Sequence, residues 1–157
     1  AKEITNNSVQ LVIIGHGEMK DSIIQYIQKY DLQDSVQLKG AIYDESRLAK
    51  EFQEALLCIS PSQGGLSCPK SMGYGVPFVC RKDAITGGEI YHITNGVNGI
   101  HYESDFDLTN ILVDAMNCPE KYVEMGRKAK DYYDNHATIQ HMAQGAIDAF
   151  NYAINYK

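Results

Sequence analysis

The segment Pro61-Ser62-Gln63-Gly64-Gly65-Leu66-Ser67-Cys68-Pro69-Lys70 gathers residue types that suit an anion. Gly64 and Gly65 would let a ligand come close to the main chain. Ser67 is placed as a helix N-cap, and Pro69 suits the first turn, where its missing N–H costs nothing. A helix start offers unpaired N–H groups and partial positive charge, so a phosphate is its natural ligand. Lys70 brings a positive charge that the dipole of that first turn disfavours, which an anion there would explain. The plain alternative is that Gly64-Gly65 only makes a turn. Gly15-His16-Gly17 is a weaker signal. Lys20 stands where the third glycine of a dinucleotide fingerprint would be, and no P-loop is present. A dinucleotide site is disfavoured, while a mononucleotide or sugar-nucleotide site stays open.

Other candidates each carry two readings. Glu89, after Gly87-Gly88, could bind a sugar hydroxyl or cap the helix expected at 89–93, and we favour the cap. His16 could donate to a sugar or phosphate, or be an exposed loop histidine. The other histidines (92, 101, 136 and 141) show no metal-ligand spacing, so no metal is expected. Arg81 and Lys82 could add charge near a phosphate or simply be solvated. Ser62 lacks the nucleophile elbow of a hydrolase. The tyrosines of the C-terminal helices, Tyr122, Tyr132, Tyr133, Tyr152 and Tyr156, read as packing rather than as a sugar-stacking surface.

The elements that must position these residues alternate along the chain. Apolar runs predict strands at Val9–Ile14, Ser35–Lys39, Leu56–Ser60, Phe78–Arg81 and Gly99–Tyr102. Helical spacing predicts helices at 18–30, 45–55, 69–74, 107–117, 119–134 and 137–155. Strands separated by such helices need crossovers, which gives an α/β, doubly wound fold: a mainly parallel sheet with helices on both faces. Ligands of such sheets bind outside the carboxyl ends of the strands. Gly15-His16-Gly17, Gly40-Ala41-Ile42, Pro61–Ser67 and Arg81-Lys82 are all expected on that edge.

With 157 residues the chain is one domain's worth, and 44% hydrophobic content excludes disorder. A net charge of −6 argues against a nucleic-acid partner, whose footprint is basic, but not against a small anion at a local site. No apolar run reaches the roughly 20 residues of a membrane span, and the first residues lack the apolar centre of a signal peptide. Cys58, Cys68, Cys80 and Cys118 have no C-x-x-C spacing and read as free thiols, largely buried, in a reducing cytoplasm.

Several of these segments resemble, in unbroken order over about residues 9–130, the family-four glycosyltransferases, glycosyl transferases group 1. Ile13-Ile14-Gly15-His16-Gly17-Glu18-Met19 resembles their hydrophobic-Gly-x-Gly-Pro strand end. Val36–Gly40 is similar to their next strand, and Ile59-Ser60-Pro61-Ser62 to their Pro-Ser strand end. Ser71-Met72-Gly73-Tyr74-Gly75-Val76-Pro77-Phe78-Val79 follows their Ala-Met-Ala-x-Gly-x-Pro-Val-Val and is the most specific match. Gly87-Gly88-Glu89-Ile90 with Asn95-Gly96-Val97-Asn98-Gly99 resembles their Glu-Ile and Asp-Gly-x-Asn-Gly segment.

The resemblance implies the C-terminal, donor-binding half of a GT-B fold over 1–157. It implies retaining transfer of a sugar from a nucleoside-diphosphate donor, with no cofactor and no obligatory metal, in surface polysaccharide or glycan synthesis. Gly64, Gly65, Leu66 and Ser67 would then offer amides to the donor sugar and diphosphate. Ala41 and Ile42 would face the base, and Gly15 and Gly17 the donor sugar or phosphates. The acceptor, a glycan or lipid-linked glycan, would come with an N-terminal domain absent from this sequence. A lipid-linked acceptor would bring the whole enzyme to the inner face of the membrane.

Two departures stand out. The family's two glutamates fall, by alignment on Gly75-Val76-Pro77, at Ser62 and Lys70, so we expect Lys70 to pair with the diphosphate instead. The half-domain's first strand, with its arginine and lysine, is also expected to be missing, Ala1–Ile4 reading as the tail of the next helix. The sheet then either closes that gap or has it filled by another chain, and the isolated chain should be a poor enzyme. A non-catalytic sugar-nucleotide-binding remnant is the alternative. A flavodoxin- or receiver-like domain would need an acidic cluster or flavin loop that Gly15-His16-Gly17 does not supply.

Overall fold

The computed structural model describes residues 10–155. Val9, the Ala1–Ile4 helix tail and Tyr156 lie outside them. Strands and helices alternate: β1 (Leu11–Ile14), α1 (Lys20–Lys29), β2 (Val36–Gly40), α2 (Glu45–Glu54), β3 (Cys58–Ser60), α3 (Ser67–Gly73), β4 (Phe78–Arg81), a 3-10 turn (Glu89–His92), β5 (Gly99–Tyr102), α4 (Asp105–Asn117), α5 (Pro119–Tyr132), a π turn (Tyr133–Ala137) and α6 (Ile139–Asn155). The expected order holds throughout, with ends shifted by one or two residues at most elements.

Every ladder is parallel, but the strands form two sheets rather than one. β1 pairs with β2, and β4 pairs with β3 on one side and β5 on the other. Of the two outcomes expected for the gap, closure by this chain's own sheet does not occur among the described residues.

The difference shows in burial. β4 has neighbours on both sides, and Phe78, Val79 and Cys80 are fully buried. Around it Cys68 and Met72 of α3, Ala84, Ile90, Ile93 and Ala129 of α5 form the core. In residues 10–55 only Ser35 is buried, and Leu11 and Ile14 of β1 are largely exposed. A parallel strand as apolar as β1 normally has cover on both faces and pairing on both edges.

Side-chain contacts tie α2 to α3 and its C-cap Tyr74. Lys70 Nζ and Tyr74 Oη donate to the Glu45 carboxylate at 2.7 and 3.1 Å, and Phe52 stacks on Tyr74 with centroids 4.8 Å apart.

The four thiols are free. Burial pushes Cys58 up to about 11 and Cys68 up to about 12, so neither is a ready nucleophile. Cys118, at the junction of α4 and α5, is exposed, against the expectation of burial.

α3 ends in a Schellman motif that requires glycine. Gly75 has φ +75°, its N–H bonds Met72 O, and Val76 N–H reaches back to Ser71 O. The Gly75 carbonyl also touches α5. A Cβ on Gly126 would stand 2.0 Å from Gly75 O, so the two elements pack backbone to backbone. Gly126→Ala should therefore lower stability by about 2–3 kcal/mol in urea unfolding, the size of an overpacking defect. Gly145→Ala on exposed α6, with nothing within 4 Å, should be neutral or raise it by about 0.5–1 kcal/mol through helix propensity.

Candidate functional site

The loop after β3 is held by its neighbour rather than left free. Gly64 N–H donates to Ile85 O at 2.8 Å and Ile85 N–H to Ser62 O at 3.0 Å, extending the parallel pairing past the strand ends. The Thr86 hydroxyl lies 2.8 Å from Gly64 O and 3.0 Å from Glu89 Oε2, and accepts from Gly88 N–H at 3.0 Å. Thr86 is thus the hub of the loop. Nothing in its local sequence marked it, because its role depends on a neighbour 22 residues away.

Gly64 and Gly65 differ in what they do. A Cβ on Gly64 would lie 2.0 Å from Ile90 Cγ2, and its N–H is already taken, so this glycine serves packing rather than ligand approach. Around Gly65 nothing lies within 4 Å. The N–H groups of Gly65, Leu66 and Ser67 have no hydrogen-bond partner among the described residues. Gly65 is half-buried and Leu66 and Ser67 are exposed, so three successive main-chain donors are left at the surface without a partner among the described residues.

Ser67 is not the N-cap. It is the first helical residue, and Leu66, in αR conformation, occupies the cap position with no side-chain bond. The chain enters α3 through a tight turn, Cys68 N–H bonding Gly65 O, which leaves the Ser67 hydroxyl outside the cap. Pro69 sits in the first turn, as expected.

Lys70 lies on the same face of α3 as Leu66 and Ser67 behind it and Tyr74 ahead of it, by the helical spacing of three and four. Its ammonium is held by Glu45, the first residue of α2. The hydrogen bonds from Lys70 and then Tyr74 keep the Glu45 carboxyl below the usual carboxylate range. The Tyr74 phenol is pushed up by partial burial and by that carboxylate. Glu45 and Tyr74 were missed in the sequence. Tyr74 had a signal, four residues on from Lys70, but Glu45 arrives through tertiary packing.

Glu89 is the first residue of the 3-10 turn, whose cap position is Gly88 without a side-chain bond, so the expected cap role is replaced by bonds within the preceding loop. Its Oε2 accepts from Gly87 N–H at 2.8 Å, and bonding to its own amide, then to Thr86, holds it below its ordinary range. The loops after β1 and β2 meet where Gly15 N–H donates to Gly40 O at 2.8 Å. Gly15 has φ +142° and Gly40 +67°, so each needs glycine for its backbone. Gly17 and Ala41 are exposed and Ile42 is half-buried. His16 is exposed, with no hydrogen bond to another described residue. Arg81 and Lys82 are paired with Asp83 and Glu103, which supports the solvated reading.

The candidates therefore fall into two groups. Ser62, Gly64, Gly65, Leu66, Ser67, Lys70 and Glu89 belong to one loop system, and Gly15, Gly17, Ala41 and Ile42 to another. The Glu45–Lys70 pair joins them. A groove of about 410 Å³ lies elsewhere, lined by Asn95, His101, Tyr102, Glu103, Asp107 and Lys121 among others, and includes none of these candidates. No group of acidic, histidine or cysteine side chains suited to a metal occurs among the described residues.

Gly64→Ala should destabilise the fold by about 1–3 kcal/mol in chemical denaturation, because Ile90 must move. Gly65→Ala should leave stability within about 0.5 kcal/mol of the parent.

The family model for glycosyl transferases group 1 matches residues 1–132. No curated protein matches in a sequence search. Among solved structures the chain is similar to a variant of S. aureus TarM in complex with fondaparinux, alpha-GlcNAc-glycerol and UDP. That match has a TM-score of 0.80 and 25% identity, and covers 96% of this chain and 30% of that one. Anabaena HepE in complex with UDP-glucose matches at TM-score 0.74 and 20% identity, over 91% of this chain and 41% of that one. Sucrose-phosphate synthase from Thermosynechococcus elongatus matches at TM-score 0.77 and 19% identity, over 96% of this chain and 39% of that one. The chain thus spans less than half the length of these neighbours. It belongs to the glycosyl transferases group 1 family and has the fold of the C-terminal, Rossmann-like half of a GT-B glycosyltransferase.

Proposed function

We propose that this chain is the donor-binding half, a single domain, of a retaining glycosyltransferase that takes a sugar from a nucleoside-diphosphate sugar. The observation that carries the reading is the row of three main-chain donors without a partner among the described residues, Gly65, Leu66 and Ser67, at a strand end of a chain in this family. The diphosphate sits on those amides with Lys70 adding charge, and the base lies against Ala41 and Ile42. The donor sugar lies near Gly15, Gly17, His16 and Ser62. Gly64 and Glu89 hold the loop rather than the ligand.

The arrangement suits the chemistry. When the bond between the sugar's anomeric carbon and the diphosphate oxygen breaks, the oxygen keeps the electron pair. Fixed amides and an ammonium stabilise that charge as it develops. TarM and HepE were solved with UDP and UDP-glucose respectively, which supports a donor of this class. The acceptor is a glycan or lipid-linked glycan met by the other half of the enzyme, in surface polysaccharide synthesis at the cytoplasmic side. Among the described residues no helix is long and apolar enough to cross a membrane.

A second reading, a sugar-nucleotide-binding remnant without transfer, is favoured by one observation. The positions of the family's two glutamates hold Ser62 and Lys70, and the latter is engaged with Glu45. A transfer assay on the full-length polypeptide separates the two.

The binding claim is tested by calorimetry with UDP and UDP-glucose. Leu66→Pro deletes one donor amide at a residue whose φ of −57° suits proline, after a glycine that tolerates the neighbour. It should weaken both ligands about tenfold, the loss of one hydrogen bond to a charged acceptor, with the melting temperature held. Unchanged affinity would remove the amides from the site.

A further inference from the structure

Lys70 does not offer a bare cation to a ligand. Its ammonium is 2.7 Å from Glu45 Oε1, while Tyr74 Oη holds Oε2 at 3.1 Å. The side chain of Glu45 is 68% exposed and that of Lys70 38%, so the pair is open to solvent and to a ligand arriving from it. Asp44, the neighbouring carboxylate, is occupied by the Ser46 hydroxyl and the Arg47 N–H. With Glu45 ionised at neutral pH, an anion drawn to Lys70 also meets a fixed negative charge.

That opposition scales with the ligand's own charge. A sugar-linked nucleoside diphosphate carries two negative charges. Once the sugar has left, the terminal phosphate gains a second ionisation near pH 6, so the free diphosphate carries about one more at neutral pH. From the Glu45–Lys70 geometry, and resting on the donor-binding reading above, we infer that Glu45 is a specificity-determining residue. It disfavours the free nucleoside diphosphate product relative to the sugar-nucleotide donor and so eases product release.

Glu45→Gln keeps the shape and the hydrogen-bonding capacity while removing the charge. For charges about 7 Å apart in water, one unit of ligand charge is worth about threefold in affinity. In low salt, calorimetry on the 157-residue chain should show UDP gaining about threefold more affinity than UDP-glucose in this variant. In about 1 M salt, where the screening length is about 3 Å, the difference should vanish. Glu51→Gln, on the same helix but paired with Lys39, should leave the UDP to UDP-glucose ratio unchanged. Thermal melts check that both variants fold.

Weaker binding of both ligands by Glu45→Gln would overturn the inference by making Glu45 a direct ligand contact. An equal gain for both ligands, or the same shift in ratio from Glu51→Gln, would overturn it as a general charge effect. In each of those cases the donor-binding reading stands. If the parent chain binds neither UDP nor UDP-glucose, that reading fails and takes the inference with it.

Discussion

The fold depends on β4 being paired on both edges. Parallel strands gain little from turns and rely on neighbours and covering helices to satisfy and bury their backbone. β4 alone meets that condition here, and its Phe78, Val79 and Cys80 are the centre of the core. Everything well packed in the chain is tied to it. α3 returns from β3 to cover it, α5 lies against α3 through the Gly75–Gly126 contact, and the 85–90 segment beyond its end clamps the loop after β3. The candidate anion loop is therefore anchored to the most stable part of the molecule. β1 and β2, with no third strand beside them among the described residues, are half-exposed partners joined to the rest through α2.

That division decides which parts of the site are rigid. Gly64 is fixed on three sides, by Ile85, Thr86 and Ile90, so the next residue starts from a defined position. Preorganised donors stabilise charge without paying to reorient, and this loop has the supports for that. The loops after β1 and β2 are joined to each other by the Gly15–Gly40 hydrogen bond, and the Glu45–Lys70–Tyr74 cluster and the Phe52–Tyr74 stack join α2 to the segment behind the anion loop. How well the two candidate groups line up then depends on a joint of half-buried rings and an exposed ion pair.

The fold was legible in the sequence where patterns are local. Phe78–Arg81 and Gly99–Tyr102 are found at the boundaries their apolar runs predict, and the helices follow their three-and-four spacing. The split of the sheet was foreseeable only as a question, since strand pairing is a long-range property. At the site, the run from Gly64 to Lys70 was visible as chemistry, but its internal roles were not. Ser67 looked like an N-cap because of its type, and the tight turn at Gly65–Cys68 took that role away. Glu89 read as a helix cap, but Gly88 holds that position without a side-chain bond, and the Glu89 carboxylate is taken up by Thr86 and Gly87, three and two residues before it. Thr86 and Glu45, whose partners lie 22 and 25 residues away, left no trace.

Charge pattern carries the last step. A lysine beside three open amides would hold the most charged anion hardest. For an enzyme of this class that species is the spent product, and a site built only for attraction would be inhibited by its own turnover. On the proposed reading, setting Glu45 against the ammonium would trade ground-state affinity for discrimination, since the amides would still hold a pyrophosphate while the added carboxylate opposes the more anionic ligand. Binding energy that does not retain the product is more useful to a catalyst than binding energy that does. On this view, a lysine in place of a glutamate at position 70 is read together with the carboxylate that reaches it from α2, and the two side chains act as one neutral unit.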